Sequence, residues 1–262
     1  MIKYLPAVLC LFIAVLIQSP QCYSQSEQER DWFELRIYHV DKIDQINAVE
    51  KYLEKTLLPA FHSAGVDEVG VFKPVPTSPD FGKKIYVFIP YNNYEDFIKI
   101  PRWIQESKRY HRKGKDYLTA PHDKPPFNRV EKILMKAFDG MPKYQPSQLD
   151  VDPQKRVYEL RSYESPTEYL GDNKIKMFNE GEIDIFDRLG FNAIFYGEVV
   201  IGPKTPNLMY MTTFASPEAQ AEHWDAFRKD PEWLKLKVKP EFQDNVSHID
   251  KIILYPTKYS DL

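Results

Sequence analysis

Apolar and polar side chains alternate strictly from Trp32 to Val40, near the start of the chain. One face carries apolar side chains and the other carries mostly polar ones: Phe33, Leu35 and Ile37 against Glu34, Arg36 and Tyr38. Because successive side chains of a strand point to opposite faces, this period of two predicts a β-strand with one face in an apolar core.

A helical stripe follows this strand. Its apolar members recur at steps of three and four residues: Ile43, Ile46, Val49, Leu53, Leu57, Phe61 and Ala64. This spacing predicts a helix that ends at Gly65, which can adopt the left-handed conformation common at helix ends. Pro59 is expected to kink the last two turns, because proline has no amide hydrogen to donate. Strands are predicted next at 66–72 and 84–90.

The pattern of the first strand returns later in the chain. Glu34-Leu35-Arg36 reappears as Glu159-Leu160-Arg161, 125 positions further on, and the same distance separates Gly65 from Gly190. The segments 94–103 and 224–233 also match each other. Repetition of this kind predicts two copies of one module.

Each copy is predicted to run in the order strand, helix, strand, strand, helices, strand. The later strands are expected at 130–138 in the first copy, and at 191–200, 207–214 and 249–255 in the second. Ser216 and Asp230 each precede a proline. That arrangement is typical of a helix start, with a capping side chain and proline at the first helical position.

This order is the split βαβ pattern, which gives a four-stranded antiparallel sheet with helices on one face. Two such sheets can bury their bare faces against each other. The sequence therefore predicts an α+β fold, in which tandem ferredoxin-like modules at 31–139 and 157–262 pair their sheets into a single-chain dimeric α+β barrel. The stretch 140–156 holds three prolines and little apolar periodicity, so it is predicted to be a linker.

The first 24 residues resemble a secretory signal peptide. They contain one positive charge at Lys3, an apolar stretch from Leu5 to Ile17, and small residues before a cut ahead of Gln25. Both cysteines, Cys10 and Cys22, lie in this segment, so the mature chain is expected to contain no thiol and no disulfide. The sequence predicts a secreted or periplasmic protein with no transmembrane segment after signal removal.

Composition narrows the possible chemistry. The formal net charge is −3, which gives no indication of nucleic-acid binding. The ten glycines form no phosphate-binding loop, and the six histidines show no spacing with carboxylates typical of a metal site on one element. No cofactor and no metal are therefore expected.

The chain resembles the NIPSNAP family. The resemblance lies in the Glu-Leu-Arg string of each first strand, in the helix that ends near Gly65 or Gly190, and in the string that runs from Trp224 through Phe227, Arg228, Asp230 and Pro231 to Trp233. It implies a dimeric α+β barrel fold, which small oxygenases and haem-handling enzymes share. The family has no settled chemistry, and its eukaryotic members are linked to mitochondria and to recruitment of partner proteins.

The first candidate site consists of the polar faces of the two equivalent strands: Glu34, Arg36 and Tyr38 with Glu159, Arg161 and Tyr163. Residues two apart on a strand share a face, so each trio forms a row, and a barrel would bring the two rows together. A guanidinium flanked by phenols and carboxylates can clamp an acidic small molecule. The alternative is structural, with each glutamate and arginine satisfying each other.

The second candidate is the group His223, Trp224, Phe227, Arg228, Asp230 and Trp233. His223 could act as a base near neutral pH, and the two indoles could stack on a planar ligand. The alternative is again structural, because these residues fall at the spacing of a helix that docks on a sheet.

Three hypotheses follow. In the first, the space between the two sheets binds a small apolar or aromatic molecule, oriented by Arg36 or Arg161 and the tyrosines. In the second, the protein is a cofactor-independent oxygenase or haem-modifying enzyme, with Tyr163, Arg161 and His223 as catalytic residues. In the third, it is a protein-interaction scaffold without a ligand cavity. A homodimer through free sheet edges is a further expectation.

Overall fold

The computed structural model describes residues 29–262. The signal peptide predicted at 1–24 lies outside these residues. Among them, no helix has the length and apolar character needed to cross a lipid bilayer.

The first half contains four strands and two helical regions. In chain order its elements are β1 (Trp32–His39), α1 (Ile43–Tyr52), a π-helical segment (Leu53–Leu57), α2 (Leu58–His62), β2 (Gly70–Pro74), β3 (Lys84–Tyr91), α3 (Tyr94–Glu106), α4 (Lys108–Lys113), α5 (Lys115–Leu118) and β4 (Arg129–Ala137). The segment after β4, predicted to be a linker, contains one short 3₁₀ turn at Pro153–Lys155.

The second half has the same order of strands and helical regions. Its elements are β5 (Val157–Glu164), α6 (Glu168–Met177), a π-helical segment (Phe178–Glu182), α7 (Ile183–Arg188), β6 (Asn192–Ile201), β7 (Asn207–Phe214), α8 (Pro217–Lys229), α9 (Pro231–Leu236), a 3₁₀ turn (Pro240–Phe242) and β8 (His248–Pro256). Most strands begin and end within a few residues of the predicted positions, although β2 starts at Gly70, four residues later than expected.

The eight strands form one closed barrel in the order β1-β3-β2-β8-β5-β7-β6-β4. Its two halves meet along two antiparallel seams, β2 with β8 and β4 with β6. At the second seam a Cβ on Gly197 would lie 2.9 Å from the Cβ of Met135, so glycine allows the close approach of these strands. The predicted barrel is thus confirmed, and hydrogen bonds along the seams add to the packing of its faces.

Three apolar clusters hold the fold together. The interior of the barrel is filled by side chains from both halves, among them Phe33, Phe88 and Phe195, whose ring centroids lie 4.7–5.5 Å apart. The other two clusters lie between the sheet and the helices, one in each half. Both faces of the sheet are therefore buried over much of their area, whereas many antiparallel sheets have one face in contact with water.

The helix starts predicted at Ser216 and Asp230 are confirmed. The Ser216 hydroxyl accepts the amide of Ala219, and the Asp230 carboxylate accepts the amides of Glu232 and Trp233. These bonds satisfy amides that have no partner inside a helix.

Candidate functional site

The polar face of β1 forms a buried ion pair. Arg36 donates two hydrogen bonds to Glu34, at 2.8 and 2.9 Å, and Tyr91 donates a third, at 3.0 Å. Burial disfavours the charged form of Glu34, but the Arg36 guanidinium outweighs it and holds the pKa of the carboxyl below its usual range. Tyr38, the third member of the row, is also buried.

The polar face of β5 forms a larger network. Arg161 donates to Glu159 at 2.7 Å and to the Tyr163 hydroxyl at 3.1 Å. The second oxygen of Glu159 accepts from Gln220 and from the Trp224 indole, at 2.7 and 2.6 Å. Each polar group of this row therefore has a partner within the protein, as the structural alternative predicts.

These two rows do not face the space between the sheets, which corrects the first hypothesis. The Arg161 guanidinium lies 3.6 Å from the centre of a Trp224 ring on α8, and Arg36 lies 5.5 Å from the Phe61 ring on α2. Their strand neighbours Phe33 and Leu160 point into the barrel instead. The two rows are therefore separated by the sheet, each beneath its own helices, and cannot orient a ligand inside the barrel.

Tyr163 continues the network of the second half toward the neighbouring strand. Its hydroxyl lies 2.8 Å from that of Tyr210 on β7. Burial raises the pKa of the Tyr163 phenol above its ordinary value, so the group is protonated at neutral pH. A protonated phenol serves as a hydrogen-bond donor and not as a base.

The second candidate group is only partly assembled. Trp224 joins the Arg161 network, but the His223 ring lies against Phe191 and Phe214, with Nδ1 2.6 Å from the Ala219 carbonyl oxygen. Arg228 is exposed and lies 3.6 Å from Asp225. Trp233 packs on Phe227, with ring centroids 4.5 Å apart. Of the predicted catalytic trio, Arg161 and Tyr163 are therefore in contact, whereas His223 has other partners.

A cavity of about 450 Å³ opens at one end of the barrel, where β1 and β5 end. Its apolar floor is formed by strands of both halves: Ile37, Tyr86, Ile133, Leu160, Met209 and Ile252. We call this space the mouth cavity. It exceeds the ~300 Å³ typical of the smallest ligand pockets, although it lies away from the polar rows of β1 and β5.

Charged side chains surround the mouth cavity, and most are paired. Lys84 lies 2.9 Å from Asp80, and the ammonium of Lys204 pairs with Asp250. That ammonium holds the pKa of the Asp250 carboxyl below its usual range. Burial, followed by the nearby carboxylate of Asp80, raises the pKa of the Tyr86 phenol, which therefore stays protonated.

A larger groove of about 560 Å³ lies between α1, α5 and the segment that follows α5. Residues of the first half alone line it, and the stacked rings of Tyr52 and Tyr117 are among them. Lysines and aspartates make up much of its remaining surface, and two of these, Lys51 and Asp116, pair at 3.0 Å. The mouth cavity differs from this groove because strands of both halves line it.

The residues around the mouth cavity were missed by sequence reasoning. One signal was available in the sequence. His248 and Asp250 are two residues apart on a strand, so their side chains share a face. Glu164 is the last residue of β5, which is the counterpart of β1 in the second half. The expectation that no histidine has a suitably spaced carboxylate on its own element overlooked this spacing.

Comparisons with known proteins place this geometry in context. Residues 158–261 match the model of the NIPSNAP family. A candidate monooxygenase of Fusobacterium nucleatum has a similar structure over 87% of this chain and 93% of that chain, with a TM-score of 0.57 and 10% identity. An anthrone oxidase-like protein has a similar structure over 88% of this chain and 92% of that chain, with a TM-score of 0.52 and 12% identity. These identities establish a shared fold alone. None of the curated proteins matches the sequence.

One further similar structure is a NIPSNAP family protein of Agrobacterium tumefaciens. It is 23% identical over 44% of this chain and 98% of that chain, with a TM-score of 0.38.

Proposed function

We propose that this protein, whose residues 158–261 belong to the NIPSNAP family, binds a small apolar or aromatic molecule in the mouth cavity. The observation that supports this most directly is the 450 Å³ space with an apolar floor built from strands of both halves. Ligand sites are commonly concave, largely apolar and lined by a few polar groups.

The polar groups that would orient such a molecule are those of the cavity itself. The Tyr86 hydroxyl can donate a hydrogen bond, since its raised pKa keeps it protonated. Ser162 and Asn207 also line the cavity, and they hydrogen bond to each other at 2.8 Å. These three residues replace Arg36 and Arg161, which lie on the other face of the sheet. A ligand with a flat apolar body and one polar group fits this arrangement.

The test is to fill the cavity. Ile252→Trp places an indole on the floor, whereas Ile249→Trp makes the same change on the outer face of the same strand, where Ile249 is 47% exposed. Calorimetric titration with anilinonaphthalene sulfonate is expected to give saturable binding to the wild type and to Ile249→Trp. Ile252→Trp is expected to lose that binding, because overpacking removes the space. Unchanged binding by Ile252→Trp would contradict the proposal and would place the probe elsewhere, for example in the groove beside Tyr52.

An oxygenase is the second candidate. It is supported by the fold shared with the candidate monooxygenase and with the anthrone oxidase-like protein. Fold likeness alone does not transfer an activity. Oxygen uptake with anthrone as the probe tests this function, and the Ile252→Trp variant should lose any uptake that depends on the mouth cavity. Absence of uptake by the wild type would oppose the oxygenase without affecting the binding proposal.

We also infer that the two halves are tandem ferredoxin-like modules. Their equal order of elements supports this, as do the two π-helical segments, which begin 125 residues apart at Leu53 and Phe178.

The signal peptide and the secreted or periplasmic location stay proposals. Sequencing the amino terminus of the protein recovered from outside the cytoplasm tests both.

A further inference from the structure

Three side chains of types that can ligate a metal ion converge beside the mouth cavity, and one of them, Asp250, lines it. Glu164 at the end of β5 lies directly opposite His248 on β8, and Asp250 shares the face of His248 two residues further along. One ligand atom from each of the three lies within 4.8 Å of the other two. An imidazole with two carboxylates is a donor set suited to a divalent transition-metal ion.

A cation already occupies this trio. The Lys204 ammonium pairs with Asp250 and lies 3.6 Å from Glu164 Oε1. Lys204 comes from the turn between β6 and β7, and its side chain is 49% exposed. Because a half-exposed lysine can move into solvent at little energetic cost, the position it fills is open to exchange.

The first half has an equivalent cluster in which a different side chain supplies the positive charge. His39 at the end of β1 lies opposite Arg129 on β4, as Glu164 lies opposite His248, and Glu131 follows two residues later. Here the strand itself supplies the cation, because the Arg129 guanidinium lies 2.7 Å from Glu131. The second half has histidine in the place of this arginine, and its cation comes from a turn. Among the described residues, the second half therefore offers three metal-ligating side chains at this place, whereas the first half offers two, His39 and Glu131.

We propose that Glu164, His248 and Asp250 bind a divalent transition-metal ion that displaces the ammonium of Lys204. Lys204 and Asp250 also line the mouth cavity, so the ion would lie at its edge. The inference does not depend on the proposed ligand, because neither His248 nor Glu164 lines that cavity.

The experiment is a calorimetric titration of the tag-free full chain with Zn²⁺. All proteins carry Cys10→Ser and Cys22→Ser, which removes the only two thiols of the chain. Lys204→Met is expected to bind one ion at least roughly tenfold more tightly than its parent, since the competing cation is gone. Adding His248→Gln to Lys204→Met should weaken binding by at least roughly 100-fold, because one of three ligands is lost.

The matched control is His39→Gln in the Lys204→Met background, which removes the equivalent histidine of the first half. It is expected to leave Zn²⁺ affinity unchanged. Visible absorption of bound Co²⁺ gives a second readout, with bands present in Lys204→Met and absent when His248→Gln is added. Circular dichroism confirms that each variant is folded.

Two outcomes would overturn the proposal. In one, Lys204→Met binds Zn²⁺ no more tightly than its parent. In the other, His39→Gln removes binding as fully as His248→Gln does, which would assign the ion to the first-half cluster. Neither outcome bears on the mouth cavity, since the probe titration uses Ile252→Trp and no metal.

Discussion

The Glu34 and Arg36 pair illustrates how charged residues are accommodated on a face that helices cover. Both side chains are less than a tenth exposed, and both guanidinium bonds reach the same carboxylate. A buried charge is tolerated only when such a partner is present, so removal of Glu34 leaves the Arg36 guanidinium without its carboxylate partner.

Replacement of Glu34 by glutamine is expected to show this dependence as a function of pH. Because the folded-state pKa of Glu34 is lowered, its contribution to stability is complete above the ordinary glutamate pKa of about 4.3 and is lost as the pH falls through the lowered value. At pH 7 the variant should be less stable by about 3–5 kcal/mol, since Arg36 is left buried and unpaired. The difference in free energy of unfolding between the variant and the wild type should become smaller below about pH 4.

Urea unfolding of both proteins from pH 3 to 7 measures this effect. Glu222→Gln, at an exposed position on α8, is the control and should follow the wild type at every pH. A stability difference between Glu34→Gln and the wild type that is constant over the whole range would contradict the assigned role of the carboxylate.

Sequence alternation predicted correctly which residues share a face of β1, but not which face lines the barrel. The usual rule assigns polar side chains to water and apolar ones to a core. Here both faces are dry: Phe33 faces the barrel interior, whereas Glu34 lies beneath helices. The polar face is buried because the covering helices supply hydrogen-bond partners, such as the Trp224 indole that donates to Glu159. These contacts join residues far apart in the chain, so the local sequence of the strand does not predict them.

The first helical region of each half contains a π-helical segment, and the two segments lie at equivalent positions, Leu53–Leu57 and Phe178–Glu182. The kink predicted at Pro59 concerns the first half alone. The position 125 residues later is Asp184, and in the second half the backbone departs from helical geometry at Gly181, where φ is 169° and ψ is −32°. Proline is therefore not required for a π-helical segment at this place, and π-helical turns are often found at functional sites.

A buried ion pair spans the π-helical segment of the second half only. Lys174 donates to Glu182 at 2.6 Å, and both residues are at most 4% exposed. The equivalent residues of the first half, 125 positions earlier, are Val49 and Leu57. A π-helical segment thus forms with either an ionic or an apolar pair at these positions, which indicates that the ion pair is not needed to form it.

Lys174→Met alone is expected to destabilise the protein by about 3–5 kcal/mol, because the Glu182 carboxylate is left buried and unpaired. The double variant Lys174→Met with Glu182→Leu, which imitates the apolar pair of the first half, should return to within about 1 kcal/mol of the wild type or exceed it. Urea unfolding measures both. A double variant as unstable as the single one would mean that other contacts of these residues, such as those of Lys174 with Phe178, carry the stability.

Closure of the barrel changes what the edges of the sheet can do. The expected homodimer relied on strand edges left free after the two halves had paired. In the described residues all eight strands pair on both sides, so such edges are absent and that argument for a dimer no longer applies. The sequence could predict the duplication, but the seams depend on edges of two distant segments, which have no common local signal.

The shared interior also predicts how the whole molecule unfolds. The seams are short, with three residue pairs between β2 and β8 and four between β4 and β6, whereas the barrel interior joins Phe33 and Phe88 to Phe195. Loss of either half would expose the apolar interior face of the other. The two halves are therefore expected to unfold in one cooperative transition, despite their separate helix-covered cores.

The four tryptophans allow this to be measured, since Trp32 and Trp103 lie in the first half and Trp224 and Trp233 in the second. In the variant Trp32→Phe with Trp103→Phe, selectively excited tryptophan fluorescence reports on the second half alone, while far-ultraviolet circular dichroism reports on both halves. The two signals should give the same urea midpoint in this single protein. Different midpoints would mean that one half keeps its structure after the other is lost, and that its own sheet and helices stabilise it without the barrel.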